Sequence, residues 1–354
     1  MVLFPRNPAV APEPRPGPDG PDGLDAPPSA GRGAGPGNAP GDAPGARGAA
    51  WDPLPLGRPV ARFEPRPPSG LSYRPDTVCD GWSTPDLHMR LASVRGYDHR
   101  YGGRPREDDA AVACDPGSGA VAFAVADGVS HATQPHIGSQ LACRSAVEEM
   151  LSQVRAGRGP DLDWDRLLAT VHWQLVDQAR RILHRPDAGP DEAEELLAST
   201  LVAGLAVPTA HGVEVAVVSV GDSGAWRIRG DRIVRLLGGK DGRPGEPVSS
   251  VVEPMPRVPA RGPSPRTFRL DRDTVVLVGT DGFGDALDDE GTGPVAALFV
   301  RELRTPVPPL RFAHLLDFSR ETFDDDRTLL ALWPAAGPPE GAGPAPTAQE
   351  ARSR

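Results

Sequence analysis

Cysteine is scarce: Cys79, Cys114 and Cys143 are odd in number, far apart and form no CxxC pair, which argues against a disulfide framework and a zinc ribbon. A reducing compartment fits such a chain. No HExxH or other zinc spacing links the eight histidines. No apolar run approaches the ~18 residues of a membrane span, and Met1 to Pro14 holds no apolar core of signal-peptide length, so a cytoplasmic protein without membrane partners is expected. Lysine occurs once, in Gly238-Gly239-Lys240, without the spacing of a P-loop. No serine sits in a G-x-S-x-G elbow, and no repeat of solenoid period is visible. Excess positive charge is also missing. The formal net charge of −10 argues against a nucleic-acid surface built on phosphate neutralisation.

What the chain has in excess is 41 glycines and 43 prolines among 354 residues. They are unevenly spread: residues 1–70 hold 18 Pro and 12 Gly, seven acidic and seven basic side chains, and almost no apolar run. Such a composition cannot bury a core. The expected organisation is a disordered Pro/Gly-rich tail over residues 1–74, one folded domain over 75–334, and a second disordered tail over 335–354. By the same reasoning residues 1–70 are expected to be dispensable for catalysis.

Within the domain, Ala110 to Cys114 and Ala120 to Ala126 read as a β-hairpin closed by a Gly-containing loop. A helix is expected from about His136, where Cys143, Val147, Met150 and Val154 recur at helical spacing, and another from about Asp163 on the stripe Leu168, Val171, Leu175, Ala179 and Ile182. Thr200 to Val207, Val213 to Val220 and Ala225 to Arg229 read as a meander. Residues 238–265 read as a long loop. Thr267 to Leu270 and Val275 to Thr280 resume the strands, Pro294 to Leu303 and Leu310 to Ser319 read as helices, and Thr328 to Trp333 as a last strand. This order predicts β-sheets covered by helices rather than an alternating βαβ fold.

Three acids stand at strand boundaries: Asp127 and Asp281 follow apolar runs and Asp325 precedes one. An Asp-Gly pair after a strand is a common hairpin turn. Both Asp-Gly pairs here are followed by expected helices, which a hairpin turn does not explain. Several carboxylates held together repel unless a cation neutralises them, and Mg²⁺ or Mn²⁺ suits an all-oxygen site.

The series Glu107-Asp-Asp109-Ala, Val125-Ala-Asp127-Gly128, Ser199-Thr200, Val220-Gly-Asp222-Ser223, Thr280-Asp281-Gly282 and Asp325-Asp-Arg-Thr328 resembles, in order, the motifs of the metal-dependent Ser/Thr protein phosphatases, type 2C. The resemblance spans roughly residues 92–333. It implies an α+β fold of two mainly antiparallel β-sheets sandwiched between helix pairs. It implies two Mn²⁺ or Mg²⁺ ions, with Asp127 bridging both, the Gly128 carbonyl holding one, Asp281 and Asp325 holding the other, and Asp109 with Asp108 supporting the site. Arg104 falls where the family can carry a phosphate-binding arginine, and Glu195 where some members hold a third ion. The implied activity is dephosphorylation of phosphoserine and phosphothreonine proteins by a hydroxide shared between the ions, in a monomeric signalling enzyme.

Several positions depart from that pattern. Val129-Ser130-His131 follows Asp127-Gly128, which leaves His131 and His136 as candidate proton donors without an assignment. The run Arg106-Glu107-Asp108-Asp109 permits a one-residue shift, so Asp108 can take the place of Asp109. Asp222 reads as a turn residue rather than a ligand. The alternative function is a catalytically weak, phosphatase-like module that binds phosphoproteins without turning them over.

Overall fold

The computed structural model describes residues 52–68, 74–159, 161–239, 254–259, 262–288 and 290–335. The tails expected before residue 52 and after residue 335 therefore lie outside the described residues, as does 240–253 of the long loop.

In chain order the elements are β1 (Leu54–Pro55), β2 (Thr77–Ser83), β3 (Leu87–Val94), α1 (Tyr97–Gly102), β4 (Asp109–Cys114), β5 (Val121–Ala126), α2 (Pro135–Arg155), α3 (Trp164–Leu183), α4 (Pro190–Leu197), β6 (Leu201–Thr209), β7 (Gly212–Val220), β8 (Gly224–Arg229), β9 (Arg232–Gly238), β10 (Arg266–Leu270), β11 (Val275–Gly279), α5 (Asp281–Gly284), α6 (Pro294–Glu302), α7 (Pro309–Leu316), β12 (Phe318–Ser319) and β13 (Arg327–Pro334). Two antiparallel sheets dominate, ordered β10-β7-β6-β5-β4 and β2-β3-β13-β11-β8-β9.

Side-chain alternation assembles these into four layers. On β5 the large residues Val121, Phe123 and Val125 face Leu330, Val276 and Met89 of the other sheet, while Ala122, Ala124 and Ala126 join Ala142, Ala146 and Met150 of α2. Alanines on that face let the helix pack close to the sheet. A Cβ on Gly204 of β6 would stand 2.3 Å from the Phe123 ring, so glycine is what admits that ring between the sheets. The outer face of the second sheet, with Leu277, Leu329 and Ala331, is covered by Val295 and Phe299 of α6 and Phe312 and Leu316 of α7. The α+β sandwich is thus present, with α2, α3 and α4 on one side and α6 and α7 on the other.

The helix starting at Asp163 is set by that residue's carboxylate, which accepts the backbone N–H of Arg166 at 3.0 Å. Leu168, Val171, Leu175 and Ala179 then form its buried stripe. In the long loop, Met255 is fully buried and exchanges backbone hydrogen bonds with Ser199 at 2.8 and 3.1 Å. No helix among the described residues is long and apolar enough to cross a membrane.

Folded structure also begins before the expected boundary at residue 75. β1 pairs in parallel with β12, the Leu56 N–H donates to the Ser319 carbonyl at 3.0 Å, and Phe63 stacks edge-on against Tyr97 and Tyr101. The Arg66 N–H donates to the Arg100 carbonyl at 2.9 Å, and the Arg66 carbonyl accepts from the Arg95 guanidinium at 3.0 Å. Proline-rich sequence can be ordered when existing strands and aromatic rings supply the partners its own side chains lack.

Candidate active site

Antiparallel pairing brings the acids together. Asp127 follows β5, whose end pairs with the start of β4 through Ala126 and Asp109. Asp281 follows β11, whose end pairs with the start of β13 through Gly279 and Leu329, and Asp325 lies two residues before β13. The same end of the sandwich receives the starts of β6 and β8 and the end of β3, which runs into α1. There a cavity of about 330 Å³ is lined by Asp98, His99, Arg104, Glu107, Asp127, Gly128, Val129, Ser130, Thr200, Asp222, Asp281, Asp324 and Asp325. Seven carboxylates thus face two cationic groups, Arg104 and His99.

Neighbouring hydroxyls hold the strand ends in place. Thr280 Oγ1 donates to Asp108 Oδ2 at 2.7 Å and accepts the Thr328 N–H at 3.0 Å, linking β4, β11 and β13. Thr200 Oγ1 accepts the Asp127 N–H at 2.9 Å and lies 2.6 Å from Ser223 Oγ. A Cβ on Gly128 would come within 2.8 Å of the Pro135 backbone, so a side chain there would push α2 away from the cavity.

Asp108 and Asp109 lie in different surroundings. Asp109 pairs with Arg74, Nη1 to Oδ2 at 2.9 Å, and accepts the Ala110 N–H. Asp108 is 1 % exposed, and its Oδ1 has no hydrogen-bond partner among the described residues. Burial first, then the charges of Asp326 and Asp325, pushes the Asp108 carboxyl well above the ordinary range. Burial followed by the charges of Asp108, Asp281 and Asp325 does the same to Asp127. Asp325 is raised to about 6, by partial enclosure and then by Asp326 and Asp281. Its side chain keeps 60 % of its surface exposed and is one of those lining the cavity.

Asp326, by contrast, is a structural anchor. It accepts the backbone N–H groups of Gly96, at 2.6 Å, and of Glu107, and its Oδ2 lies 3.0 Å from His99 Nδ1. Despite burial, these partners hold its carboxyl below the usual value. His99 Nε2 stands 3.9 Å from both Glu107 Oε2 and Asp325 Oδ1. Burial pulls the imidazole pKa down, but the hydrogen bond and charge of Asp326, with the charge of Glu107, raise it to about 9. Glu107 is itself raised to about 7, chiefly by burial and against the pull of His99.

A group whose folded pKa exceeds its unfolded one stabilises the fold below the unfolded value, and loses that contribution as pH rises through the folded value. In chelator-treated protein, His99 is therefore expected to contribute up to about 3 kcal/mol that disappears between pH ~6.5 and ~9. Thermal unfolding of wild type and His99→Gln across that window checks this: the stability gap should close as pH rises. A gap that stays constant would contradict the assignment.

The other expected residues divide clearly. Arg104 lines the cavity and pairs at its rim with Asp98. Glu195 is exposed on α4 and is not among the cavity-lining residues; its carbonyl accepts the Thr133 N–H at 3.0 Å. His131 is exposed and His136 half-buried, and neither lines the cavity. His99 and Asp222 line it and were not read as site residues. The turn signature of Gly-Asp-Ser concealed Asp222. The signal available was its place between two expected strands, Val213 to Val220 and Ala225 to Arg229. His99 carries no motif of its own.

The model of the family described as Protein phosphatase 2C matches residues 95–315, more than half of the chain. The chain belongs to the protein phosphatase 2C family. Among solved structures it is similar to PppA, a key regulatory component of T6SS in Pseudomonas aeruginosa, at 18% identity over 72% of this chain and 100% of that one, with a TM-score of 0.45. It is also similar to the PPM Ser-Thr phosphatase MsPP from Mycobacterium smegmatis in complex with cacodylate, at 18% identity over 69% of this chain and 97% of that one, with a TM-score of 0.43. A third is RsbX in complex with magnesium, at 10% identity over 73% of this chain and 100% of that one, with a TM-score of 0.42. No curated protein matches the chain significantly.

Proposed function

We propose that this member of the family is an active, metal-dependent phosphatase acting on phosphoserine and phosphothreonine proteins. The observation that carries the reading is the gathering of Asp108, Asp127, Asp281 and Asp325 at one end of the sandwich, where enclosure and neighbouring charge raise Asp108, Asp127 and Asp325 and where Asp108 Oδ1 has no hydrogen-bond partner among the described residues. A buried carboxylate oxygen without a donor is costly, and carboxylates raised by one another's charge are stabilised together by a divalent cation. The donor set is all oxygen, which suits Mn²⁺ or Mg²⁺. The residues present therefore fit divalent cations, which Asp127, the Gly128 carbonyl, Asp281, Asp325 and Asp108 would hold.

When bound, such ions supply charge neutralisation and the activation of water for in-line attack on phosphorus. The chain's own part is to fix the carboxylates through Thr280, Thr200 and Asp326, and to bind and orient the phosphate through Arg104. The Arg104–Asp98 pair is half-exposed, at 42 % and 54 % of side-chain surface, and such pairs are weak. The guanidinium can therefore exchange Asp98 for two oxygens of an incoming phosphate.

Arg104→Ala is expected to lower kcat/KM for a phosphopeptide about ten- to a hundred-fold, the cost of one charged hydrogen-bonding partner. Mn²⁺ affinity should be unchanged. Unaltered kinetics would assign the phosphate elsewhere. The binding-module alternative is separated by incubating a phosphothreonine peptide with the full chain and Mn²⁺: the enzyme releases phosphate, whereas a module retains the peptide intact.

A further inference from the structure

Asp108 enters the cluster at the end of an irregular segment, residues 103–108, and must be held there against the charges of Asp326, Asp325 and Asp281. Among the described residues its own side chain makes a single hydrogen bond, to Thr280. Something else must fix its backbone. Arg74, from just before β2, reaches this segment with its side chain only 7 % exposed. Its Nε donates to the Arg106 carbonyl at 2.9 Å, its Nη2 to the Asp108 carbonyl at 3.0 Å and its Nη1 to Asp109 Oδ2 at 2.9 Å.

The three bonds span the turn of chain that carries Asp108, and they close it from both sides. Arg106, 2 % exposed, adds a second donor to the Asp108 carbonyl at 3.1 Å, and its Nη1 also donates to Ser93 Oγ on β3. The planar fork of Arg74 matters here, because no other side chain offers donors at this spacing and charge to two carbonyls and a carboxylate at once. By binding the carboxylate of Asp109, Arg74 also commits that side chain to the outside of the cluster and leaves Asp108 to face inward.

We infer that Arg74 is a positioning residue for the metal site: it sets which of the two consecutive aspartates faces the cations and holds that one in place. This rests on the metal-dependent reading above. Changing a residue that orients a ligand from outside typically costs ten- to a hundred-fold in metal affinity.

The test is Mn²⁺ titration calorimetry on the full chain, paired with phosphopeptide kinetics. Arg74→Met should weaken Mn²⁺ binding at least tenfold and raise the Mn²⁺ concentration needed for activity by a similar factor. The KM for peptide at saturating Mn²⁺ should stay as in wild type, which a general loss of structure would not preserve. Arg74→Lys, whose ammonium lacks the planar fork, should fall between the two. Asp109→Asn, which removes the ion pair and keeps both carbonyl bonds, should lose less than Arg74→Met.

A folded Arg74→Met with wild-type Mn²⁺ affinity would overturn the inference. Should Arg74→Met not fold, Arg74→Lys decides by the same titration, and unchanged affinity in it overturns the inference equally. If wild type itself binds no Mn²⁺, the metal-dependent reading fails. If wild type binds it and the Arg74 variants bind it equally well, only the role of Arg74 fails.

Discussion

Asp127→Asn is expected to abolish Mn²⁺-dependent phosphatase activity in a protein that still folds. The substitution keeps the volume of the side chain and leaves intact the backbone bonds that fix the residue, its N–H to Thr200 Oγ1 and its carbonyl to the Thr200 N–H at 2.8 Å. What it removes is the charge at the point where β5 delivers a carboxylate among Asp108, Asp281 and Asp325. Without metal the variant should be at least as stable as wild type, because one of several repelling charges is gone. Stability that is retained or raised, together with lost turnover, separates a catalytic role from a structural one. Undiminished Mn²⁺-dependent turnover in the folded variant would remove Asp127 from the site.

Gly282→Ala should be the most damaging single-methyl change near the cavity. A Cβ at this position would lie 1.9 Å from the Asp326 carbonyl oxygen, a backbone atom that cannot rotate away. Relief requires α5 and the segment leading into β13 to separate. That movement would pull Asp281 from Asp325 and loosen Asp326 from the Gly96 and Glu107 N–H groups. Overpacking of this kind costs about 3 kcal/mol, which for a domain of this size lowers Tm by roughly 6 to 12 °C. Activity should fall further than stability alone explains, visible as a reduced kcat well below the new Tm. Wild-type Tm and kcat in Gly282→Ala would mean that α5 and β13 are not packed as described.

These two effects also show what could be read from sequence. Asp127 and Asp281 were legible because each ends an apolar run and precedes a helix, a local pattern that needs no tertiary information. The β5 segment was legible as an uninterrupted apolar run, Ala120 to Ala126, preceded by a Gly-containing loop. The different surroundings of Asp108 and Asp109 were not, since adjacent residues entering a strand point to opposite sides and Arg74, which pairs with Asp109, lies more than thirty residues earlier.

Short elements were lost where composition masked them. α4 reads as a solvated acidic run, yet Ala193, Leu196 and Leu197 are buried against α2 and α3. β3 was not read as a strand although Leu87, Met89 and Leu91 alternate toward the space between the sheets, because polar and cationic residues are interspersed. Residues 52–68 were assigned to the tail on proline content, a measure of what a segment can bury by itself and not of what a neighbouring sheet edge or aromatic pair can offer it.

The account rests most directly on phosphate release from a phosphothreonine peptide by the wild-type chain at neutral pH, followed as Mn²⁺ is added to chelator-treated protein. The expected result is no release without metal, a rise that saturates with Mn²⁺, and loss again on chelation. Release that is indifferent to metal, or no release at any Mn²⁺ concentration from a folded protein, would contradict it.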